Sequence, residues 1–131
     1  MSKIVLIIDD DPIVRIVIQK MINIVNVSAI CYPCENGEVG LSALVKLQDS
    51  EDDVIVLLDI NMPVLDGWGF LDKLQKMNLE KIDNVEFYIV SSSTDESDKL
   101  KSQTFPVIKK FYSKPLSKQD VIDILNTYSA N

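Results

Sequence analysis

Four short stretches place oxygen-bearing or cationic side chains directly behind apolar runs. Asp9, Asp10 and Asp11 follow Lys3 to Ile8, Asp59 follows the run that begins at Val54, Ser91 to Thr94 follow Val85 to Val90, and Lys114 closes Val107 to Ser113. Carboxylates held side by side repel, so a proton or a cation must occupy the cluster. An all-oxygen ligand set with no His favours a hard divalent ion, and Mg²⁺ suits few carboxylates completed by water and phosphate oxygens. A Lys beside such a group prepares the site for phosphoryl chemistry, in which catalysis is largely positioning and charge neutralisation. The chain has no His to act as nucleophile or base. Asp59 is therefore the natural candidate to attack phosphorus and become an acyl phosphate.

The elements that must position these groups can be read from the apolar pattern. Val54 to Leu58 is an unbroken apolar run, as expected of a strand buried on both faces, and it ends at Asp59. Lys3 to Ile8, Val27 to Tyr32, Val85 to Val90 and Val107 to Ser113 supply four further strands. Pro12, after Asp11 as cap, opens a helix to about Val25, in which Arg15, Gln19 and Asn23 recur every four residues. A turn at Pro33 to Gly37 leads into a helix over Glu38 to about Gln48 with Leu41, Leu44, Val45 and Leu47 inward. Asp49 to Asp53 is a polar acidic loop. Asp66-Gly67 turns into a helix to about Met77 that buries Phe70, Leu71 and Leu74, and Asp95 to about Gln103 is a short polar helix. Ser117 with Asp120 has the spacing of a capping box for a last helix through Tyr128. Five strands alternating with five helices imply right-handed crossovers and a parallel α/β sheet covered on both sides.

Composition narrows the function. With 131 residues and 47% of them apolar, the chain is expected to form one domain spanning 1–131, with no output domain. The formal charge of −7, with a single Arg, argues against nucleic acid and against an acidic membrane surface. Neither a signal-peptide core nor a run of transmembrane length is present, so a cytoplasmic protein is expected. Cys31 and Cys34 have redox spacing, but Pro33, Glu35 and Asn36-Gly37 suggest a loop rather than the helix start that would activate a thiol. Two Cys without His also make a poor zinc site.

Four separated motifs, IIDDDP at Ile7 to Pro12, LLDINMPVLDG at Leu57 to Gly67, IVSSS at Ile89 to Ser93 and FYSKPL at Phe111 to Leu116, give the chain its family likeness. In order and spacing it resembles the receiver domain of two-component response regulators over essentially its whole length. The resemblance implies a flavodoxin-like doubly wound (βα)5 fold, strand order 2-1-3-4-5, of the stand-alone CheY-like kind. It implies Asp59 as phosphoacceptor, with Asp9, Asp10, Asp59 and the backbone carbonyl of Asn61 as ligands of the cofactor Mg²⁺. Ser91 matches the switch hydroxyl, usually Thr, Lys114 the Lys that pairs with the phosphoryl group, and Phe111 the aromatic switch position. A sensor histidine kinase or a histidine phosphotransfer protein would be the donor and an unidentified protein the downstream target. Phosphorylation would switch the surface made by the fourth helix, fifth strand and fifth helix, to signal or to relay the phosphoryl group. Such a domain is not an enzyme for a separate substrate. It would catalyse only its own Mg²⁺-dependent phosphorylation and dephosphorylation, and Asn61 and Ser93 would tune the rate at which its acyl phosphate is hydrolysed.

Two departures are modest: Ser91 lacks the Thr methyl that restrains its rotamer, and Ser92 stands where Ala is common. A third is that Asp95 to Pro106 lacks the apolar periodicity usual for the fourth helix. A haloacid-dehalogenase-like phosphatase is the rival enzyme class, since its nucleophile ends the first strand in an Asp-x-Asp pattern that Asp9 to Asp11 superficially meets. The Asn-Met-Pro and Asp-Gly after Asp59 answer no need of that class.

Overall fold

A computed structural model describes residues 3–79, 83–92 and 95–126. Five strands alternate with five helices in the order β1 (Lys3–Ile8), α1 (Pro12–Val25), β2 (Ile30–Cys34), α2 (Gly37–Leu47), β3 (Asp53–Leu58), α3 (Gly67–Lys76), β4 (Val85–Ser91), α4 (Glu96–Ser102), β5 (Ile108–Ser113) and α5 (Lys118–Asn126). The strands pair in parallel in the order β2-β1-β3-β4-β5. All the strands therefore end at the same edge of the sheet. The chain winds to opposite sides of β1, which opens a crevice between the ends of β1 and β3.

Alternation along each central strand divides the core. Leu6, Ile8, Val56, Leu58 and Phe87 pack with α2 and α3, whereas Val5, Ile7, Ile55, Leu57 and Tyr88 pack with α1 and α5. Strands buried on both faces need apolar residues at every position, which is why Val54 to Leu58 shows no polar interruption. Each helix start is fixed by a side chain that accepts an orphan backbone N–H. Asp11 accepts from Ile13 at 2.9 Å, Asn36 from Val39 at 2.9 Å, Asp66 from Gly69 at 2.8 Å and Asp95 from Ser97 at 2.9 Å. The capping box forms as expected: Asp120 N–H donates to Ser117 Oγ and Ser117 N–H to the Asp120 carboxylate, each at 3.0 Å.

Two local expectations change. The second strand runs over Ile30–Cys34 rather than Val27 to Tyr32, and Val27 is exposed. Pairing continues through Pro33 opposite Ile7, because β2 is an edge strand and Pro there forfeits no internal ladder bond. Cys31 and Cys34 thus sit in a strand, where i and i+3 face opposite sides of the sheet, and burial raises both thiol pKa values, that of Cys34 to about 11. In α1, only Ile18 and Ile22 are buried, while Ile13, Ile16, Val17 and Ile24 are exposed and Arg15 and Gln19 are half-buried. The polar stripe marked the helical period but not the solvent face. The expected helix end at Tyr128 and the hydroxyls of Ser93 and Thr94 lie outside the described residues. Among those residues, no helix is long and apolar enough to cross a membrane.

α3 begins against the chain leaving β3. A Cβ on Gly67 would stand 2.7 Å from the Asp59 carbonyl oxygen and 2.8 Å from the Ile60 Cα, whereas one on Gly69 would meet only side chains, the end of Leu65 at 2.7 Å and Asp66 Oδ1 at 3.3 Å. Backbone cannot yield as a leucine tip can. Gly67→Ala is expected to destabilise the fold by about 1–3 kcal/mol. Gly69→Ala should be neutral or stabilising, since Ala gains up to about 1 kcal/mol over Gly inside a helix. Urea unfolding of the two variants checks the pair, and equal losses would contradict it.

Candidate functional site

The site is built at the carboxyl edge of the sheet by residues that end β1, β3, β4 and β5. Asp9 follows β1, and its N–H donates to the Cys34 carbonyl at 3.0 Å, continuing the ladder one step beyond the strand. Asp59 follows β3, tied by its N–H to the Ile8 carbonyl at 2.9 Å. Both residues are buried, Asp9 at 3% and Asp59 at 5% exposure, while Asp10 is exposed at the rim. The three carboxylates offer oxygens that lie within 4.8 Å of one another.

Lys114 crosses to this cluster from the end of β5. Its Nζ lies 2.6 Å from Asp9 Oδ2 and 3.4 Å from Asp59 Oδ2. The backbone of Lys114 is fixed by its N–H donating to the Ser91 carbonyl at 2.8 Å, and a cis peptide bond joins it to Pro115. Burial works against the Lys114 ammonium, but the hydrogen bond to Asp9 and the charges of Asp59 and Asp9 outweigh it, and its pKa stands above the ordinary value. Asp59 is pushed up to about 6, first by burial and then by the Asp9 charge, although Lys114 and the Asn61 N–H draw it down. That N–H lies 3.4 Å from Asp59 Oδ1. At neutral pH Asp59 is therefore ionised but poorly compensated.

Ser91, the last residue of β4, is fully buried and pairs with Ser113, while Ile89 pairs with Phe111. Ser91 and Phe111 therefore share one face of adjacent strands, one diagonal step apart. Phe111 is half-buried on the edge strand, on the opposite face from Tyr112, which packs with α5. The structure thus brings Asp9, Asp10, Asp59 and Lys114 into one cluster, with Ser91 at the neighbouring strand end and the exposed Asn61 beside Asp59.

One participant escaped the sequence reading. Arg15, the only Arg in the chain, donates from Nη1 to the Asp9 carbonyl at 2.7 Å. Asp9 Oδ1 also accepts the Asp11 N–H at 2.9 Å. A single Arg one turn into the helix that follows three Asp residues was the available signal.

A doubly wound parallel sheet with an acidic cluster and a Lys at its carboxyl edge defines a phosphate-handling class of α/β domain. The chain belongs to the response regulator receiver domain family, whose description matches residues 5–126. It is a signalling domain of two-component systems, a family in which phosphorylation on Asp and Mg²⁺ binding at an acidic pocket are general properties. The chain is 36% identical over 92 residues to the probable C4-dicarboxylate response regulator DctR of Bacillus subtilis, covering 70% of this chain and 37% of that protein. It is 35% identical over 75 residues to the nitrate/nitrite response regulator protein NarL of Escherichia coli, covering 57% of this chain and 33% of that protein. It therefore spans about a third of the length of these relatives. A two component response regulator from Cytophaga hutchinsonii has the same fold, with a TM-score of 0.83 at 23% identity over 100% of this chain and 98% of that one.

Poor compensation at Asp59 has a consequence for stability. Its folded-state pKa lies above the unfolded value of 3.8, so the folded protein holds the proton more tightly, and stability is lost as pH rises from about 4 through about 6. In the absence of divalent ions, Asp59→Asn is expected to stabilise the fold above this window by about 1–3 kcal/mol. The gain should vanish near pH 4, where the wild-type carboxyl is protonated. Thermal unfolding in a chelator across this range checks the sign, and a destabilised variant at neutral pH would contradict it.

Proposed function

We propose that Asp59 accepts a phosphoryl group from a histidine-borne donor and that the resulting charge resets the surface formed by α4, β5 and α5. The observation that carries this reading is the Lys114 ammonium held against two buried carboxylates, 2.6 Å from Asp9 and 3.4 Å from Asp59. The residues fit Mg²⁺: Asp9, Asp10 and Asp59 offer only oxygen, and the Asn61 carbonyl would complete the protein's share. When bound, Mg²⁺ supplies neutralisation of the carboxylates and polarisation of the phosphoryl oxygens.

The chain's own residues account for the remaining steps. Ionised Asp59 forms an O–P bond as the N–P bond of a phosphohistidine breaks, and the departing imidazole nitrogen takes its proton from water. Lys114 transfers its contact from Asp59 to the new phosphoryl oxygen while Asp9 retains hold of it. The Ser91 hydroxyl donates to another phosphoryl oxygen, which draws the end of β4 inward and leaves space into which Phe111 turns. Phosphorylation shifts the population because only that arrangement neutralises the added charge. Water later attacks the acyl phosphate, and Asn61 and Ser93 tune that rate.

The donor is a sensor histidine kinase or a histidine phosphotransfer protein, meeting the domain in the cytoplasm. An apolar groove beside the site supports this. It is lined by Ile13, Val17, Met21 and Leu116 and by Lys114, the residue that also contacts the acidic cluster. Ile13 and Ile16 are exposed at 69% and 53%.

Incubation with Mg²⁺ and acetyl phosphate is expected to give a labile phosphoryl adduct by intact mass on wild type and none on Asp59→Asn. An adduct that survives Asp59→Asn and is lost in Asp9→Asn would move the nucleophile to Asp9. Ile13→Glu should slow transfer from a phosphorylated histidine phosphotransfer protein roughly tenfold while leaving acetyl phosphate labelling unchanged. Equal slowing with both donors would remove α1 from the docking surface.

A further inference from the structure

Apolar surface is unevenly spread over this molecule. Among the described residues, eight of the eleven exposed large apolar side chains lie between Ile13 and Val39. Those at the start of α1 border the donor approach described above. Ile30, Tyr32 and Val39, exposed at 42%, 44% and 39%, stand instead on β2 and α2, at the open edge of the sheet far from β5. Residues 12–48 carry only three cations and two anions, so the acidic excess behind the net charge of −7 lies elsewhere. This side of the molecule is close to neutral.

On its face of the sheet α2 packs beside α3 and turns Gly37, Gly40, Leu41 and Leu44 inward. Its flank toward the open edge is bare. There Tyr32, Val39, Ser42, Ala43, Lys46 and Leu47 line an open groove of about 300 Å³. A strand added along β2 is disfavoured as its occupant. The Cys34 carbonyl accepts the Asp9 N–H, so Cys34 directs its backbone to β1 and Pro33 turns to the open side, where it has no N–H to donate.

The charges of α2 point to another occupant. Glu38, Ser42 and Lys46 are exposed and stand four residues apart on one stripe, with Glu38 in the first turn of the helix and Lys46 in the last. Among the described residues neither charge has an ion-pair partner. The two lie about 12 Å apart along the axis, with Ser42 midway. A uniformly acidic or basic partner would suit one end of this helix and be repelled by the other. A second α2 laid antiparallel about a two-fold axis through Ser42 suits both, since it sets each Glu38 against the partner's Lys46. That arrangement also opposes the two helix dipoles. Small Ser42 and Ala43 at its centre let the helices approach, and Tyr32 and Val39 are covered at the sides.

We propose that the face formed by α2 and the edge of β2 pairs with the same face of a second copy, in a two-fold antiparallel dimer held by two reciprocal ion pairs between Glu38 and Lys46 around an apolar centre. Because α1 covers the opposite face of the sheet, the pairing leaves the donor approach and Lys114 open. It does not depend on phosphorylation.

The test is sedimentation equilibrium of the full chain over a wide range of concentration, in a chelator. A reversible dimer is expected, equally strong in Asp59→Asn. Glu38→Lys and Lys46→Glu should each weaken it at least about tenfold, because each reversal removes both ion pairs and sets like charges together. The double variant restores opposite charges at both contacts, and so does an equimolar mixture of the two single variants. Both are expected to dimerise as the wild type does. Ser42→Arg, which alters an exposed side chain at the axis, should give a monomer with an unchanged circular dichroism spectrum. A wild type that stays monomeric at every concentration, or a dimer indifferent to Ser42→Arg and to both reversals, would overturn the proposal. So would reversals that weaken the dimer with no rescue in the double variant or the mixture. Loss of the dimer in folded Asp59→Asn would tie association to the phosphoacceptor site and exclude this face.

Discussion

Three carboxylates crowded at the carboxyl edge of a parallel sheet would push the strand ends apart were it not for the single ammonium of Lys114. It reaches from the outermost strand, β5, past the end of β4 to Asp9 and Asp59. Removing Lys114 would leave two buried carboxylates uncompensated, at a typical cost of about 3–5 kcal/mol. The arrangement is nevertheless incomplete, because one positive charge faces two buried carboxylates and the raised pKa of Asp59 records the deficit. A divalent cation at the carboxylates would relieve it.

The rest of the fold serves that edge. Strands β1 and β3, apolar on both faces, cannot slip without burying a polar residue, and this fixes Asp9 and Asp59 side by side. Gly67 lets α3 begin directly against the Asp59 carbonyl, which closes the turn after Asp59. Arg15 holds the Asp9 carbonyl and Asp11 caps α1, so the acidic triplet divides its work between the site, the rim and the helix start. Ser91 and Phe111 lie on the side of the sheet covered by α4, where the covering is thin: α4 is only seven residues long and Ser102 alone is buried in it. A thinly packed helix over this pair makes small local movements inexpensive.

The molecule has two exposed surfaces of different character on either side of this edge. Along α1 it offers aliphatic side chains beside Lys114, and along α4, β5 and α5 it offers lysines around a groove. The two surfaces are joined through α5, which packs against α1.

Much of this was legible in the sequence because burial on both faces leaves unbroken apolar runs, and each chemical residue stands directly after one. Strand number, helix number, the capping box and the meeting of Asp9, Asp10, Asp59 and Lys114 at one sheet edge follow from that one-dimensional pattern. The extent of β2 did not, since an edge strand tolerates Pro33 and only pairing with Ile7 shows that the strand continues. The outward face of α1 did not either, because Ile and Val line nearly all of it and Arg15 turns toward Asp9. Sequence determined which groups stand at strand ends. Only the tertiary structure decided that a Lys more than fifty residues beyond Asp59 bridges it to Asp9, and that scattered lysines form one face, because both depend on which strands lie side by side.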